Sequence, residues 1–250
     1  MTLPLHWLGP DDPFPPTSNS WGPDSPAPGL LAAGGGLGVP RLLQAYANGI
    51  FPWFSDGQPI LWWGPDPRMV LPVAGFRLHR SLRRTLQHFR ATPGCEVRVD
   101  SGFGAVIRAC SQASRAGQSG TWIVPPMVAA YEALHAAGHA HSVETWVNGR
   151  LVGGLYCVAL GRAVFGESMF AHATDASKIA LAALICLCRR EGVQLIDCQQ
   201  NTGHLASLGA REMERAQFLR HVDSARLQPA CNWRFESVYW DELLPVSPAA

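Results

Sequence analysis

In the second half of the chain, short runs rich in apolar, β-branched and aromatic residues are separated by turn signals, and this pattern predicts three neighbouring strands. The strands are predicted over residues 142–147, 150–160 and 163–170. Asn148-Gly149 separates the first two, and this pair favours the type I′ turn of a β-hairpin because both residues accept a positive φ. Gly161-Arg162 forms the next turn. The pattern therefore predicts an antiparallel meander.

Other segments show the three- and four-residue spacing of apolar positions that is typical of helices. These helices are predicted over residues 39–49, 77–90, 104–114, 125–137 and 176–191. The last of them is expected to have Asp175 as its N-cap, to end at Gly192 and to lead into an apolar strand over residues 193–198. Meander, helix and strand in this order indicate an α+β fold.

The first 66 residues differ from the rest because they hold 12 of the 20 prolines and 5 of the 9 tryptophans. Proline at that density interrupts regular elements, so we expect a small, irregular domain over residues 1–66. The larger α+β domain is expected over residues 67–235, followed by a C-terminal tail over residues 236–250.

Composition excludes two classes of protein. A chain with 47% hydrophobic residues, 16% charged residues and a net charge of +1 does not have the composition of a disordered protein. Its longest apolar stretch, residues 179–188, is too short to span a membrane, and its start does not have the pattern of a secretory signal. The seven cysteines have no framework spacing, which is typical of reduced thiols, so a cytoplasmic location is expected.

The net charge of +1 averages over three unlike segments. Residues 1–67 carry −4, residues 68–115 carry +7 and residues 116–250 carry −2. A local excess of arginine on a nearly neutral protein is typical of a nucleic-acid contact, and a solvated face that balances acidic residues elsewhere is the alternative. Arg80, Arg83 and Arg84 lie on the polar side of a predicted helix and are the candidate phosphate contacts.

Several common catalytic motifs are absent from the sequence. The one lysine, Lys178, follows Ser177, which excludes a Walker A loop. Neither HExxH nor paired CxxC motifs occur, so no metal site is predicted. The string GESMF at residues 166–170 lacks the second glycine of a nucleophile elbow. Cys198 with His204 as nucleophile and base stays open as an alternative.

Ten short strings occur in one order along nearly the whole chain. They are GLLAAGGGL (29–37), GIFPWF (49–54), WWGPDPR (62–68), GTWI (120–123), HAHSVE (139–144), LVGGLY (151–156), GESMF (166–170), ASKIAL (176–181), IDCQ (196–199) and HLASLGA (204–210). In this order they resemble the leucyl/phenylalanyl-tRNA–protein transferases of bacteria. Gly64 and Cys157 depart from the family's usual Ser and Gly.

The resemblance implies transfer of Leu, Phe or Met from aminoacyl-tRNA to the α-amine of proteins that begin with Arg or Lys, which marks them for the bacterial N-degron pathway. It also implies a GNAT-like acyltransferase domain beside a small N-terminal domain. The aminoacyl ester is already activated, and residues 170–177 lack the glycines of a CoA pyrophosphate loop, so no cofactor is expected. A monomer without a membrane partner is expected.

The resemblance also assigns site residues by position. Asp197 and Gln199 match positions proposed to orient and deprotonate the acceptor amine, and strand alternation places them on one face. Glu167 matches a substrate-binding position, with a structurally paired carboxylate as the alternative. The aminoacyl pocket matches Leu155, Val164, Met169, Leu181, Leu184 and Ile196. Aromatic rings stack on bases, so Trp53, Trp122 and Tyr131 are the candidates to contact the tRNA's terminal adenosine, and Tyr46 is expected to line the same cleft.

Two other functions fit parts of the pattern. A CoA-dependent small-molecule acyltransferase on the same fold needs a phosphate-binding loop. An RNA-binding protein without catalysis keeps the basic segment but has no need for Asp197 and Gln199.

Overall fold

The structure is a computed structural model that describes residues 4–113 and 121–244. Its N-terminal part forms a four-stranded sheet in the order β1-β2-β4-β3. The strands are β1 (His6–Leu8), β2 (Leu30–Gly34), β3 (Phe51–Pro52) and β4 (Leu61–Trp63), with helix α1 (Val39–Ala47) between β2 and β3. The side chain of Trp62 is fully buried, and its Nε1 donates to the Gly34 carbonyl at 2.9 Å. The irregular domain predicted here thus contains a sheet, whose short strands leave no periodic pattern.

The rest of the described chain builds a seven-stranded sheet in the order β11-β5-β10-β9-β8-β7-β6. Its strands are β5 (Arg68–Pro72), β6 (Cys95–Val99), β7 (Ala140–Val147), β8 (Arg150–Leu160), β9 (Ala163–Ala171), β10 (Leu195–Gln199) and β11 (Arg211–Met213). Its helices are α2 (Arg80–Ala91), α3 (Phe103–Gln112), α4 (Pro125–Ala136), α5 (Ala176–Glu191), α6 (Gly203–Ser207) and α7 (Arg215–Ala225). The mixed architecture confirms the predicted α+β fold.

The predicted meander is confirmed as β7, β8 and β9, which pair in antiparallel fashion. Asn148 and Gly149 have φ values of 49° and 72°, as a type I′ turn requires. The predicted strand over 193–198 is β10, which pairs with β9 in parallel and with β5 in antiparallel direction. β5, β6 and β11 were not predicted, because strands of three to five residues carry too few positions to show a period.

The large sheet lies between two layers of helices. Helix α5 packs on β7 and β8 from one face, while α3 and α4 pack on the same sheet from the other. Every side chain between Ile179 and Cys188 is buried, which explains why that stretch reads as continuously apolar. Among the described residues, no helix combines the length and apolarity that crossing a membrane requires.

Helix α5 begins where predicted, but Asp175 does not cap it with its side chain. Asp175 has a left-handed φ of 59°, and its carboxylate accepts a hydrogen bond from Lys178 Nζ at 2.8 Å instead. Its other oxygen lies 3.4 Å from Thr85 Oγ1 on α2. Asp175 therefore occupies the predicted N-cap position without a capping hydrogen bond from its side chain, and the predicted helix is confirmed.

The end of the described chain is not a free tail. Residues Ser237–Glu242 form a 3₁₀ helix that packs against α5. Trp240 is only 3% exposed, with its ring 5.1 Å from that of Phe235 and 6.5 Å from that of Phe89. Leu243 and Leu244 are also buried. The predicted tail therefore belongs to the core up to residue 244, and residues 245–250 lie outside the described part.

This packing predicts a measurable stability contribution from the C-terminal segment. Replacing Trp240 with Ala removes a buried indole, and we expect a loss of about 3–5 kcal/mol in the free energy of unfolding. Urea titration followed by circular dichroism measures it. Val238→Ala is the control, because that side chain is 48% exposed and its truncation is expected to change stability by less than about 0.5 kcal/mol. Equal effects of the two substitutions would show that the segment does not belong to the core.

Candidate active site

A cleft opens in the large sheet where β9 and β10 diverge. Their parallel pairing covers only Ile196 with Val164 and Asp197 with Phe165, although β9 continues to Ala171. β10 also pairs irregularly with β5 between Asp197 and Gln199, and Gln199 has a left-handed φ of 56°. Because the two strands separate beyond Asp197, side chains of both border open space.

The open space is a cavity of about 350 Å³, which we call the cleft cavity. Five of the six residues predicted for the aminoacyl pocket line it, namely Leu155, Met169, Leu181, Leu184 and Ile196. Residues that sequence reasoning did not assign to the pocket also line it, namely Leu71, Cys198, Thr202, His204 and Leu205. Most of the cavity surface is apolar, so the cavity suits an apolar side chain.

Val164, the sixth predicted pocket residue, does not line the cleft cavity. It lies opposite Ile196 in the short stretch where β9 and β10 still pair, and it is 2% exposed. Because the sheet is closed at that point, the Val164 side chain fills the core beside the cavity. In this structure Val164 therefore lies behind the cavity wall, beside Ile196.

Glu167 on β9 supplies the polar end of the cleft cavity. Its Oε1 accepts a hydrogen bond from Tyr46 Oη at 2.8 Å and from Gln199 Nε2 at 3.2 Å. Its Oε2 accepts from Tyr131 Oη at 3.2 Å, and the two tyrosine hydroxyls also contact each other. Three elements far apart in sequence, α1, α4 and β10, thus converge on one carboxylate.

The two tyrosines do not have the accessibility expected for a nucleotide-stacking role. Tyr46 and Tyr131 have 0% of their surface exposed, and neither borders the cleft cavity. Their rings pack in the core, where that of Tyr46 lies 5.0 Å from Phe165 and that of Tyr131 lies 5.5 Å from Tyr156. A buried ring has no face left for a base, so their role in this structure is to hold Glu167.

Trp53 and Trp122, by contrast, border the cleft cavity and are partly exposed. The ring of Trp53 packs edge-on against Trp63 at 5.3 Å, and Trp63 Nε1 donates to the Trp53 carbonyl at 2.7 Å. These contacts hold the Trp53 indole at the mouth of the cavity. Two aromatic rings are therefore available to a flat ligand there.

The environment of Glu167 changes its acidity. The pKa of Glu167 is raised from its usual value near 4.5 to about 8, because burial and the negative charge of Asp197 raise it more than the hydrogen bonds from the tyrosines and the charge of Arg68 lower it. Burial also raises the pKa of Tyr46 and Tyr131 well above the ordinary value of 10.0. Both hydroxyls therefore keep their protons at neutral pH.

This raised pKa predicts a pH dependence of stability that Glu167→Gln removes. The folded protein holds a proton that the unfolded chain releases, so Glu167 stabilises the fold fully below about pH 4.5 and loses that contribution as pH rises to about 8. Between those limits the wild type is expected to lose up to about 1.4 kcal/mol per pH unit relative to the variant. Urea titrations of the wild type and the variant from pH 5 to pH 8 measure the free energy of unfolding. The same pH dependence in both proteins would contradict the prediction.

Asp197 lies at the end of β10 but does not face the cleft cavity. Its carboxylate is buried and accepts two hydrogen bonds from Arg68, from Nε to Oδ1 at 2.8 Å and from Nη2 to Oδ2 at 2.6 Å. The pairing of β10 with β5 is irregular between Asp197 and Gln199 and Gln199 is left-handed, so the predicted common face of the two side chains does not follow from regular strand alternation here. Asp197 reaches the cavity only through Gln199, whose N–H donates to Oδ1 at 2.9 Å.

The three predicted phosphate contacts lie on α2 and do not line the cleft cavity. Arg80 and Arg84 are exposed and form no ion pair within the described part of the chain. Arg83 instead donates from Nη1 to the Leu243 carbonyl at 3.1 Å. The start of α2 is joined to α6 by a contact of 2.8 Å between His79 Nε2 and the Ser207 carbonyl. Since α6 borders the cavity, the exposed arginines lie on an element joined to its wall.

The basic segment is less exposed than its charge of +7 suggests. Arg68 is buried against Asp197, and Arg90, Arg98 and Arg108 form ion pairs with Asp241, Glu96 and Glu132. Arg115 falls outside the described residues. The exposed arginines of the segment that form no ion pair within the described residues are Arg77, Arg80, Arg83 and Arg84, and these are free to meet a polyanion. Among residues 4–113 and 121–244, no group of three His, Cys, Asp or Glu side chains is arranged to hold a metal ion.

Comparisons with known proteins show which family the chain is similar to. Residues 70–223 match the family described as leucyl/phenylalanyl-tRNA protein transferase, and residues 35–66 match the N-terminal domain of that family. Two solved structures are similar only at a low level, the crystal structure of FemX (TM-score 0.43, 11% identity, 70% of this chain and 66% of that chain) and a tandem GNAT protein from the clavulanic acid biosynthesis pathway (TM-score 0.34, 16% identity, 78% and 59%).

Full-length relatives are much more similar in sequence. A protein of a Polaromonas species named leucyl/phenylalanyl-tRNA–protein transferase is 63% identical over 98% of this chain and 96% of its own length. One of the same name from Albidiferax ferrireducens is 61% identical over 96% of this chain and 95% of its own length. This chain therefore belongs to the leucyl/phenylalanyl-tRNA–protein transferase family, whose members are aminoacyltransferases.

Proposed function

We propose that this protein moves Leu or Phe, and also Met, from aminoacyl-tRNA to the α-amine of proteins that begin with Arg or Lys, and so marks them for N-degron degradation. The observation that carries the proposal is the cleft cavity, which joins an aliphatic slot to the Glu167–Gln199 pair. An aminoacyl ester needs the slot, and a basic N-terminus needs the polar end. Both parts meet where β9 and β10 separate.

The slot accounts for a preference for large apolar amino acids. A cavity of about 350 Å³ lined by Leu155, Leu181 and Leu184 receives an aliphatic or aromatic side chain and penalises a charged one. An apolar wall separates neighbouring aliphatic side chains by only about 1–3 kcal/mol per methylene, so Leu, Phe and Met are all acceptable. Trp53 and Trp122 at its mouth are the rings we assign to the terminal adenosine, where stacking contributes roughly 1–3 kcal/mol per base.

The polar end suits the acceptor amine. In the reaction the amine nitrogen attacks the ester carbonyl, the bond to the ribose oxygen breaks, and one proton moves from nitrogen to that oxygen. The reference pKa of an α-amine is about 7.7–8.0, and the pKa of Glu167 is raised to about 8. Two groups of similar pKa exchange a proton at little free-energy cost, so Glu167 in its ionised form is matched to take the proton of the ammonium group.

Two exposed arginines on α2 form the proposed tRNA surface. Reversing Arg80 and Arg84 to Glu is expected to weaken tRNA binding and to flatten its salt dependence by about 0.7–0.9 log units per log unit of salt for each phosphate that is no longer neutralised. Filter binding between about 50 and 200 mM salt measures the slope. Arg150→Glu with Arg220→Glu is the matched control, because both residues lie on other elements at the surface. If the salt dependence of tRNA binding had the same slope in both double variants, the tRNA surface would not lie at Arg80 and Arg84.

The experiment that tests the proposed function uses labelled leucyl-tRNA and one acceptor protein in several forms that differ only at the first residue. We expect label in the forms that begin with Arg or Lys. We expect none when the same Arg form is N-acetylated or when the first residue is Glu. Label in the acetylated form, or no label in any form, would contradict the proposal.

The remaining parts of the proposal follow from the substrates. Aminoacyl-tRNA is available in the cytoplasm, so we place the protein there. The cleft cavity is lined by residues of this one chain, so we expect the protein to act as a monomer. Analytical ultracentrifugation of the active protein tests that expectation.

A further inference from the structure

Arg68, a residue that none of the preceding roles uses, is buried behind the cleft cavity. It opens β5, and its side chain is only 1% exposed. The guanidinium carbon lies 4.8 Å from the ring centre of Phe51 and 4.7 Å from that of Phe218. Its Nη1 also donates to the Gly49 carbonyl at 2.9 Å. One side chain thus joins the small sheet, α7 and the large sheet.

The remaining donors of Arg68 hold Asp197 by a two-point contact. Nε and Nη2 each bind a different oxygen of that carboxylate, which fixes both its position and its rotation about the side-chain bond. Asp197 Oδ1 is then the acceptor for the Gln199 N–H. A lysine has one charged centre and lacks this planar fork, so it cannot fix the rotation in the same way.

The contact with Asp197 supports an unusual backbone conformation in the cleft. Gln199 is not a glycine, yet it has a left-handed φ of 56°, and such residues persist where the surroundings over-determine them. In that conformation its side-chain amide leaves the alternation of β10 and donates to Glu167 Oε1 at 3.2 Å. Hydrogen bonds therefore run without a break from Arg68 through Asp197 and Gln199 to Glu167.

We propose that Arg68 is a positioning residue for aminoacyl transfer, which sets the Asp197 carboxylate and through it the Gln199 amide that contacts Glu167. This inference rests on the proposed function. A buried ion pair is not in general needed for stability, because apolar side chains of similar volume replace such pairs without loss in several proteins. The contacts of this pair with the cleft give it a role that packing alone does not require.

The test compares Arg68→Lys with Arg41→Lys. Arg41 is a matched control because it is also buried, binds the carbonyls of Asp12 and Gly9, and packs on the ring of Phe14 at 4.7 Å, without touching Asp197. We expect kcat of Arg68→Lys to fall by about 10- to 100-fold with the KM for leucyl-tRNA changed by less than about 2-fold. Arg41→Lys is expected to keep the wild-type kcat per folded molecule.

A second readout is independent of activity. Amide hydrogen exchange at Gln199 is expected to quicken by at least about 10-fold in Arg68→Lys and to stay unchanged in Arg41→Lys, because only the first loosens the acceptor of that N–H. Wild-type exchange at Gln199 together with a wild-type kcat in Arg68→Lys would overturn the inference. A wild-type protein that transfers no amino acid would instead overturn the proposed function, while the exchange measurement still tests Arg68.

A double variant covers the case in which Arg68→Lys does not fold. Arg68→Met with Asp197→Leu removes both buried charges and replaces them with apolar side chains, so a folded protein is expected. Its kcat is expected to fall by at least about 100-fold, with faster exchange at Gln199 and little change in KM. A folded double variant with wild-type kcat would overturn the inference.

Discussion

Asp197→Ala is expected to lower both stability and transfer more than any other single truncation in the cleft. The substitution leaves the Arg68 guanidinium buried without its counter-ion, which costs about 3–5 kcal/mol, a large part of the roughly 5–15 kcal/mol typical of a folded domain. It also removes the acceptor of the Gln199 N–H. Urea titration and single-turnover transfer measure the two effects, and we expect at least about a 100-fold loss of transfer per folded molecule.

The control for this substitution is an ion pair on the surface. Asp223 binds Arg226 at 3.2 Å across one turn of helix, and its carboxylate is 63% exposed. Asp223→Ala is expected to change stability by less than about 1 kcal/mol and to leave transfer unchanged. Asp197→Ala with the stability of the control would show that the Arg68–Asp197 pair is not desolvated in the folded protein.

Leu184→Trp is expected to block the aminoacyl slot. Leu184 lies on α5 and borders the cleft cavity, so an indole at this position extends into the space that we assign to the substrate side chain. We expect kcat/KM for phenylalanyl-tRNA to fall by at least about 100-fold, equivalent to about 2.7 kcal/mol of lost transition-state binding. Overpacking is expected to lower stability by about 1–3 kcal/mol, which leaves most molecules folded and does not account for the loss of activity.

A substitution at the same position that keeps the side-chain volume tests whether the effect of Leu184→Trp comes from the size of the new side chain. Leu184→Met keeps the side-chain volume, so transfer of Leu is expected to stay within about 3-fold of wild type. Steady-state kinetics with leucyl- and phenylalanyl-tRNA measure both variants. If Leu184→Trp transferred Phe at the wild-type rate, the apolar slot would have to lie elsewhere.

Local sequence patterns were sufficient for the elements with many residues. Helix α5 spans Ala176–Glu191, the range that its apolar period and flanking Gly192 predicted, and the hairpin turns at Asn148-Gly149. β5 was not predicted, because the residues between Pro67 and Pro72 are too few to show alternation. Its burial becomes evident only when β10 and β11 are placed beside it.

The residues of the site were predicted better than their roles. The resemblance pointed to Glu167, Gln199 and most of the cavity wall, and the structure brings these together. It could not show that Tyr46 and Tyr131 are enclosed, because enclosure depends on how α1 and α4 pack on the sheet. Sequence reasoning placed Asp197 beside the substrate, whereas in the structure its carboxylate is buried and bound by Arg68.

Arg68 shows the limit of reasoning from charge. It counts as one of the positive charges of residues 68–115, yet its side chain is buried, and its partner lies 129 positions away in sequence. Net charge of a segment counts side chains without regard to long-range pairing. Only the folded structure distinguishes Arg80 and Arg84, which are exposed to solvent, from Arg68, which is buried.

Photo-crosslinking with tRNA charged with a diazirine analogue of leucine tests most directly whether the cleft between β9 and β10 is the transfer site. Irradiation of the complex followed by peptide mass spectrometry identifies the residues next to the aminoacyl side chain. We predict crosslinks to Leu155, Met169 and Leu184, and their disappearance in Leu184→Trp. Crosslinks confined to α2, or to the outer face of α4 around Val128, would contradict this account.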